Sequence, residues 1–381
     1  MRRSVLVTAS LLTAMFALAA CGSSSSGSKT SASGTGSSNT TANAAAVSSV
    51  PAPPTTPPTS IPITQALPKA PPKGKTILYL QCELPACART APGIQQGAAA
   101  LGWNSKVLVY KNADPGAGLQ SAIQQHPNYI AITGIPTAAM KPQLAAAKSA
   151  GIPVLSCGTT DKPSPGGYAV ECGGTLERDA EYIGRWVTRD SGGKANVVAV
   201  SIPQFPALVT ITDWFKHNFS GMCSGCKFDE LDVTVDDIGS GQVGSKVVAY
   251  LQAHPNVDYV LFTFADLATG VPQAIQSSGL GHQVKLVGAV ESAGIVKGVP
   301  TTYKAWTLSP NEYMGMVMVD AAARLSLGET LSPPYLDEIY HNPTWVLDSA
   351  AEAKALAATN NTWPGPTGYV EQFKQLWHVG S

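Results

Sequence analysis

Short apolar runs alternate with longer segments of helical periodicity from residue 75 onward. Runs rich in β-branched and aromatic residues predict strands, and the longer Ala- and Gln-rich segments predict helices. Strands separated by helices are typical of a parallel sheet that carries helices on both faces. The strands predicted in the first half are residues 76–80, 106–110, 129–133, 152–156 and 168–170.

The same alternation starts again with a predicted helix at residues 177–189. A short repeated segment supports two similar halves: residues 124–128 (QQHPN) and 252–256 (QAHPN) each lie at the end of a predicted helix, just before a predicted strand. Proline stops the helix in each copy. The pattern therefore predicts an α/β protein with two doubly wound, parallel-sheet lobes. The strands predicted in the second half are residues 197–200, 228–233, 259–264 and 285–290.

Residues 1–21 have the organisation of an export signal. A positively charged start precedes an apolar run at residues 5–20, which is too short for a membrane-spanning helix. Residues 18–21 (LAAC) resemble the bacterial lipoprotein signal, whose cysteine is acylated and becomes the mature N-terminus. The resemblance predicts lipid attachment at Cys21, on the extracytoplasmic face of the cell membrane. An ordinary secretory signal with an incidental Cys21 is the alternative.

Residues 22–72 have low complexity, with a Ser/Gly/Thr-rich part followed by a Pro-rich part that starts at residue 51. Such a composition does not bury a core and favours an extended chain. We therefore expect a disordered tether between the membrane and a folded region that begins at residue 73.

The overall charge excludes some kinds of partner. The chain has 25 basic and 25 acidic residues, a net charge of zero, and only 13% of its residues are charged. A nucleic-acid-binding surface needs an excess of basic residues. We therefore expect no nucleic-acid partner.

Six cysteines remain besides Cys21, and an even number in an exported chain predicts three disulfides. Many pairings of six cysteines are possible. For the pair at 223 and 226, zinc binding and redox activity are alternatives, although no second Cys or His pair lies at zinc-ligand spacing. No metal site and no cofactor is predicted. The pairs that close short loops are Cys82–Cys87, Cys157–Cys172 and Cys223–Cys226.

A family resemblance is strongest at residues 251–262 (LQAHPNVDYVLF), followed by 266–270 (DLATG). These segments resemble the helix, turn, strand and next helix start of the type I periplasmic sugar-binding family. That family includes the ribose and galactose receptors and is related to the cores of lactose-repressor-type proteins. Further similar segments are residues 150–154 (AGIPV) and 286–288 (LVG), and the resemblance covers roughly residues 73–347.

The resemblance implies two lobes joined by three crossings, with a small-molecule ligand trapped between them. It assigns residues 73–172 and 310–347 to the N-terminal lobe and 173–309 to the C-terminal lobe, and leaves 348–381 as an extension. The crossings would fall near residues 172–174, 291–292 and 308–310. It also implies a monomer that delivers its ligand to an ABC permease in the membrane.

The residues at the implied ligand site depart from the sugar-binding pattern. Gly158 and Thr159 stand where the family has an Asp-Arg pair that grips hydroxyl groups, and Ala265 stands where it has Asn. Sugars need dense charge-assisted hydrogen bonding, so we expect a sugar-like or less polar, aromatic compound rather than plain ribose or galactose. Core packing is the alternative for two aromatic candidates, Phe264 and Trp306. The candidate ligand-binding residues are Glu83, Thr159, Gln204, Phe205, Phe264, Asp266, Glu291 and Trp306.

Two other functions fit the same sequence. A sensory receptor of this fold would pass its liganded form to a signalling partner instead of a permease. A hydrolase would need an acid pair among Glu83, Asp266 and Glu291, but a binding carboxylate is the commoner role, and no serine has a Gly-x-Ser-x-Gly context. We predict no catalytic residue and no enzymatic activity.

Overall fold

The structure is a computed structural model that describes residues 47–281 and 283–380. The predicted export signal and Cys21 therefore lie outside the described residues, as does most of the Ser/Gly/Thr-rich part of the expected tether. Two α/β sheets organise the described part of the chain, which confirms the predicted fold class.

The first sheet has five parallel strands in the order β2-β1-β3-β4-β5. Side chains on both faces of its central strands, such as Leu78 and Tyr79 of β1, are fully buried, because helices cover both faces. The strands are β1 (Thr76–Cys82), β2 (Asn104–Tyr110), β3 (Tyr129–Thr133), β4 (Val154–Cys157) and β5 (Val170–Glu171). The helices between them are α1 (Pro85–Ala88), α2 (Ala91–Ala100), α3 (Pro115–Ile123) and α4 (Lys141–Ser149).

The second sheet has six strands in the order β11-β10-β9-β8-β6-β7, and only its edge strand β11 is antiparallel. The strands are β6 (Asn196–Ser201), β7 (Lys227–Asp232), β8 (Tyr259–Phe262), β9 (Lys285–Gly288), β10 (Ala305–Leu308) and β11 (Trp345–Leu347). The helices are α5 (Thr175–Asp190), α6 (Pro206–Met222), α7 (Val235–Gly239), α8 (Val243–Ala253), α9 (Val271–Ser277) and α10 (Ala293–Gly298).

After β10 the chain returns to the first lobe before it adds β11 to the second sheet. Two helices, α11 (Asn311–Ser326) and α12 (Pro333–Tyr340), contribute to the first-lobe core, and α11 packs on α2 and β4. Two short helices follow β11: α13 (Ala350–Ala355) and α14 (Tyr369–Leu376).

Between β5 and β11 the chain crosses from one lobe to the other three times, and one of these crossings differs from the expectation. Residues 172–174 lead from β5 to α5, residues 309–310 lead from β10 to α11, and residues 341–344 lead from α12 to β11. The crossing expected at residues 291–292 is wrong, because β9 and β10 are neighbours in the same sheet. The expected N-terminal-lobe segment 310–347 is also too long, because β11 pairs with β10 of the second lobe.

The C-terminal residues belong to both cores. Leu356, just after α13, packs in the second-lobe core beside Trp363, whereas Phe373 and Trp377 pack in the first-lobe core. The chain therefore passes between the lobes once more after β11.

The Pro-rich part of the expected tether docks on the folded body. Near its start, the Val50 carbonyl accepts a hydrogen bond from Arg189 of α5, and the Pro54 carbonyl accepts one from the β11 amide of Val346. Farther along, Ile63 and Leu67 are buried in the first-lobe core. The expectation of a disordered tether is therefore wrong for residues 50–72, which form a strap that touches both lobes.

Candidate functional site: an apolar cleft between the lobes

A cleft lies between the lobes at the carboxyl ends of the strands of both sheets. Open α/β sheets bind their ligands at this edge. The cleft has a volume of about 980 Å³, including space that is open to solvent. Its walls are mostly apolar and come from both lobes, with Leu84 and Ile135 on one side and Leu176, Phe205, Leu208 and Phe264 on the other.

Two disulfides border the cleft. Cys82–Cys87 closes the loop after β1, and Cys157–Cys172 ties the end of β4 to the first crossing. Cys82, Cys87 and Cys157 themselves line the cleft. The third disulfide, Cys223–Cys226, connects the end of α6 to β7 and does not line the cleft. These are the three short-loop pairs, and a loop held covalently loses less entropy when a ligand binds to it.

Asp179 on α5 is the one residue with a carboxyl group among those that line the cleft in the described ranges, and its side chain is fully buried. Its two oxygens accept hydrogen bonds from the Ser309 hydroxyl (2.6 Å) and the Thr344 hydroxyl (3.0 Å). Burial raises the pKa of Asp179 to about 7, although these hydrogen bonds lower it and the nearby Glu291 carboxylate raises it further. Ser309 and Thr344 belong to two crossings, so Asp179 lies where the connections between the lobes meet.

The first-lobe wall carries neutral polar groups. Tyr110, the last residue of β2, lines the cleft and is buried, and its hydroxyl has no hydrogen-bond partner in the part of the chain that the structure describes. Thr133, at the end of β3, also lines the cleft and shares a hydrogen bond with the Tyr79 hydroxyl. Burial raises the pKa of Tyr110, so this phenol stays neutral. An unsatisfied buried hydroxyl is costly, and a bound ligand could supply its partner.

An ion pair closes the lobes together beside the cleft. Arg89, which follows α1, pairs with Glu291 after β9 and also donates to the Glu291 backbone carbonyl. The second Glu291 oxygen accepts a hydrogen bond from the Ser309 amide (3.1 Å). Burial raises the pKa of Glu291 and the Arg89 charge lowers it. The same guanidinium lowers the pKa of Asp266, which burial otherwise raises.

Of the eight candidate residues, the structure places Phe205 and Phe264 on the cleft wall. Glu291 lies beside the cleft, in the interlobe ion pair described above. Asp266 is half-buried near Arg89 and does not line the cleft. Trp306 is fully buried and packs against Phe262 and Tyr303 in the core. The expectation that Trp306 contacts the ligand is therefore wrong, and the core-packing alternative is right.

Three other candidates also lie off the cleft wall. Glu83 forms an exposed ion pair with Lys111. Thr159 is buried and donates its amide and hydroxyl to the Glu171 carboxylate. Gln204 is exposed just before α6. The structure therefore does not bring these side chains together into one ligand site.

Sequence reasoning missed Asp179, Tyr110 and Arg89. A signal existed for Asp179, because it lies three residues after Leu176 and four before Ile183, on the apolar face of α5. A carboxylate on such a face is rarely buried without a function or a partner. No comparable local signal marked Arg89, whose partner lies 202 positions away.

Residues 47–281 and 283–380 contain neither a metal site nor a membrane-spanning helix. This part of the chain holds no cluster of His, Cys, Asp or Glu side chains suited to a metal ion. It also contains no helix with the length and apolarity needed to cross a membrane.

A periplasmic binding protein domain family matches residues 87–330 of the chain. The match includes most of both sheets and every crossing except the one at residues 341–344. No curated protein sequence matches the chain significantly.

Three solved structures of similar fold are named as proteins of ABC transporters. One, from Agrobacterium vitis with bound allitol, is 18% identical with a TM-score of 0.62, and the match covers 75% of this chain and 99% of that chain. A periplasmic ribose ABC transporter protein from Conexibacter woesei is 17% identical with a TM-score of 0.64, covering 77% and 98%. A solute-binding protein from Burkholderia graminis in complex with D-arabinose is 18% identical with a TM-score of 0.60, covering 67% and 90%.

Proposed function

Because this chain belongs to the periplasmic binding protein domain family, we propose that it captures a small organic solute outside the cytoplasm and delivers it to an ABC permease. The observation that carries the proposal is the cleft between two lobes, lined from both sides and closed by a cross-lobe ion pair. A solute bound there touches both lobes, so binding favours the closed form.

The hinge supports an opening and closing motion. The three crossings are short, and the first contains Gly173 and Gly174, of which Gly174 has a φ of +80°. Small residues at crossings absorb the dihedral changes of domain closure. A hydrogen bond connects two of the crossings, because the side-chain amide of Asn342 donates to the Cys172 backbone carbonyl (2.8 Å). The solute is therefore expected to enter through an open form and to be trapped in a closed one.

The apolar walls support a solute that is less polar than a free sugar. The solved relatives were crystallised with polyhydroxylated compounds such as allitol and D-arabinose. In this cleft Leu, Ile and Phe side chains form much of the wall, and the polar residues that line it carry hydroxyl or amide groups and a single carboxyl group, without the charged pairs that bind many hydroxyls. The proposed solute is a compact organic molecule with a mostly apolar body and few polar groups.

A thermal-shift screen tests the binding function. Sugars, polyols, nucleosides, aromatic acids and aromatic amines are added to the chain from residue 22 onward, which lacks the cysteine expected to carry the lipid, and a ligand at 100 times its dissociation constant stabilises by about 2.7 kcal/mol. Small-angle scattering with the best compound should then show a smaller radius of gyration. A saturating ligand that leaves the dimensions unchanged would contradict a closing cleft.

The membrane position of the protein is a separate part of the proposal, and its support is the LAAC sequence at residues 18–21. Cys21→Ala should abolish lipid attachment, because the acylated thiol is lost, and should release the protein from membranes. A control substitution, Ser23→Ala, keeps the cysteine and should leave the protein in the detergent phase. If Cys21→Ala still partitions fully into detergent, the lipid anchor is refuted.

A further inference from the structure

We propose that Asp179 selects the solute, and that the cleft takes a compact, mostly apolar molecule that carries a protonated amine. The inference rests on the proposed binding function and names its ligand class. Asp179 is the one acidic or basic side chain among the residues that line the cleft in the described part of the chain. It is fully buried, so its charge depends on what shares the cleft with it.

The two hydrogen bonds to Asp179 prepare its carboxylate to receive a cation. The Ser309 hydroxyl donates to one carboxylate oxygen, and the Thr344 hydroxyl lies within hydrogen-bond distance of both the other carboxylate oxygen (3.0 Å) and the Leu308 carbonyl (2.9 Å). A carboxylate oxygen accepts more than one hydrogen bond. Each oxygen therefore keeps acceptor capacity for one further hydrogen bond.

No basic side chain among the described residues pairs with Asp179. The nearest interacting charge is Glu291, which is already paired with Arg89. When Asp179 is ionised, this buried group of three side chains keeps one negative charge without a counter-ion. A buried charge is stable only when it is paired, and a ligand ammonium would supply the missing positive charge.

The rest of the cleft suits the body of such a molecule. Phe205 and Phe264 line the wall, and aromatic faces attract ammonium groups as well as apolar ones. On the first-lobe wall, the Tyr110 hydroxyl lacks a partner among the described residues and offers one neutral hydrogen-bonding group. No cationic side chain lines the cleft in the described ranges, so a carboxylate or phosphate ligand finds no counter-ion there.

Three probes of one shape test the inference on the mature protein: benzylamine, benzyl alcohol and benzoate. Dissociation constants are measured at pH 8 by ligand-observed NMR, which detects weak binding. We expect benzylamine to bind at least tenfold more tightly than benzoate, with benzyl alcohol in between. Asp179→Asn should weaken benzylamine at least tenfold and change benzyl alcohol little, because the variant removes the charge and keeps the shape.

Asp190→Asn is the matched control, because Asp190 is the last residue of the same helix but does not line the cleft. Its carboxylate accepts hydrogen bonds from Tyr259 and Lys285. It should leave the order of the three probes unchanged. If Asp179→Asn does not fold, a pH series on the unaltered protein replaces it. Asp179 has a pKa of about 7, so it ionises between pH 6 and pH 8. Benzylamine affinity should rise over this range, whereas benzyl alcohol affinity should stay constant.

The outcomes separate this inference from the binding function. If benzoate or benzyl alcohol binds as tightly as benzylamine, or if only sugars and polyols of the wider screen bind, the amine class is wrong and the binding function stands. If neither the probes nor any compound of the screen binds or compacts the protein, both proposals fail.

Discussion

Nη1 of Arg89 lies 3.2 Å from Oε1 of Glu291, so one ion pair joins the first lobe to the second beside the cleft. The Glu291 side chain is 1% exposed and that of Arg89 is 20% exposed. A carboxylate buried this deeply depends on its partner for stability. The pair therefore stabilises the arrangement of the lobes in which the two side chains meet.

Arg89→Gln should destabilise the closed protein, because it leaves the Glu291 charge buried without a counter-ion. Losing one partner of a buried pair costs about 3–5 kcal/mol, and the partial exposure of Arg89 places the expected loss at the lower end. Urea unfolding measures the stability, and small-angle scattering in saturating ligand should show a larger radius of gyration than that of the unaltered protein. The double variant Arg89→Gln, Glu291→Gln should recover most of the loss.

The exposed pair Lys111–Glu83 provides the control for this experiment. Its side chains are 84% and 38% exposed, and exposed pairs contribute about 0–1 kcal/mol. Lys111→Gln should change neither stability nor dimensions measurably. An Arg89→Gln protein that behaves like Lys111→Gln would show that the cross-lobe pair has no role in closure.

Removing the two cleft disulfides should have different effects on affinity and stability. Cys157–Cys172 spans 15 positions, and a loop of that size contributes about 3 kcal/mol in the chain-entropy model. Cys82–Cys87 spans 5 positions and should contribute less to stability, but it orders a loop that lines the cleft. We expect Cys82→Ser, Cys87→Ser to lose affinity more than melting temperature, and Cys157→Ser, Cys172→Ser to lose both.

Peptide mapping under non-reducing conditions checks the pairing itself. Free thiols or crossed pairs among these four cysteines would contradict the arrangement on which the prediction depends. The Cys223→Ser, Cys226→Ser protein is the control, because that disulfide lies away from the cleft and should leave ligand affinity unchanged.

Glu171 should make the stability of the protein depend on pH. Burial raises the pKa of Glu171 from 4.5 to about 7 in the folded state, although Thr159 hydrogen bonds to it. The folded protein therefore holds this proton more tightly than the unfolded chain. The stabilisation is fully present below pH 4.5 and is lost as the pH rises through about 7.

Glu171→Gln keeps an acceptor for the Thr159 amide and removes the ionisation. Relative to the unaltered protein, its stability should rise by up to about 3 kcal/mol between pH 4.5 and pH 8, since each pKa unit corresponds to about 1.4 kcal/mol. Unfolding in urea at several pH values measures the difference. Glu371→Gln removes an exposed carboxylate instead and should show no such trend; equal pH profiles for both variants would contradict the prediction.

Truncation should reveal that the strap belongs to the fold. A protein starting at residue 73 lacks Ile61, Ile63 and Leu67, which are 9%, 2% and 2% exposed in the first-lobe core. Burying each such side chain contributes about 1.5–3 kcal/mol, so the truncated protein should be several kcal/mol less stable in urea. A protein starting at residue 47 keeps these contacts and should match the full mature chain. Equal stability of the two truncated proteins would show that the strap is dispensable.

The local pattern of the sequence determined the elements and the two-lobe architecture. Apolar runs separated by helical segments correctly predicted two sheets of mainly parallel strands. This prediction was possible because strand and helix periodicities depend on neighbours only a few positions apart. The family resemblance, not the periodicity, placed crossings near residues 172–174 and 308–310, close to where β5 and β10 end, and it wrongly placed one near residues 291–292. The disulfides that close short loops were also readable, since nearby cysteines meet at little entropic cost.

The tertiary structure alone decided which side chains face the cleft. Trp306 lies on a strand whose two faces are both buried, so no alternation in the sequence could separate core packing from ligand contact. Arg89 and Glu291 meet across 202 positions, and the Pro-rich strap docks on partners about 300 positions away, such as Gln372 with Ile61. Burial and pairing between distant segments depend on how the sheets and helices pack against one another. Local periodicity depends only on residues a few positions apart and therefore does not predict that packing.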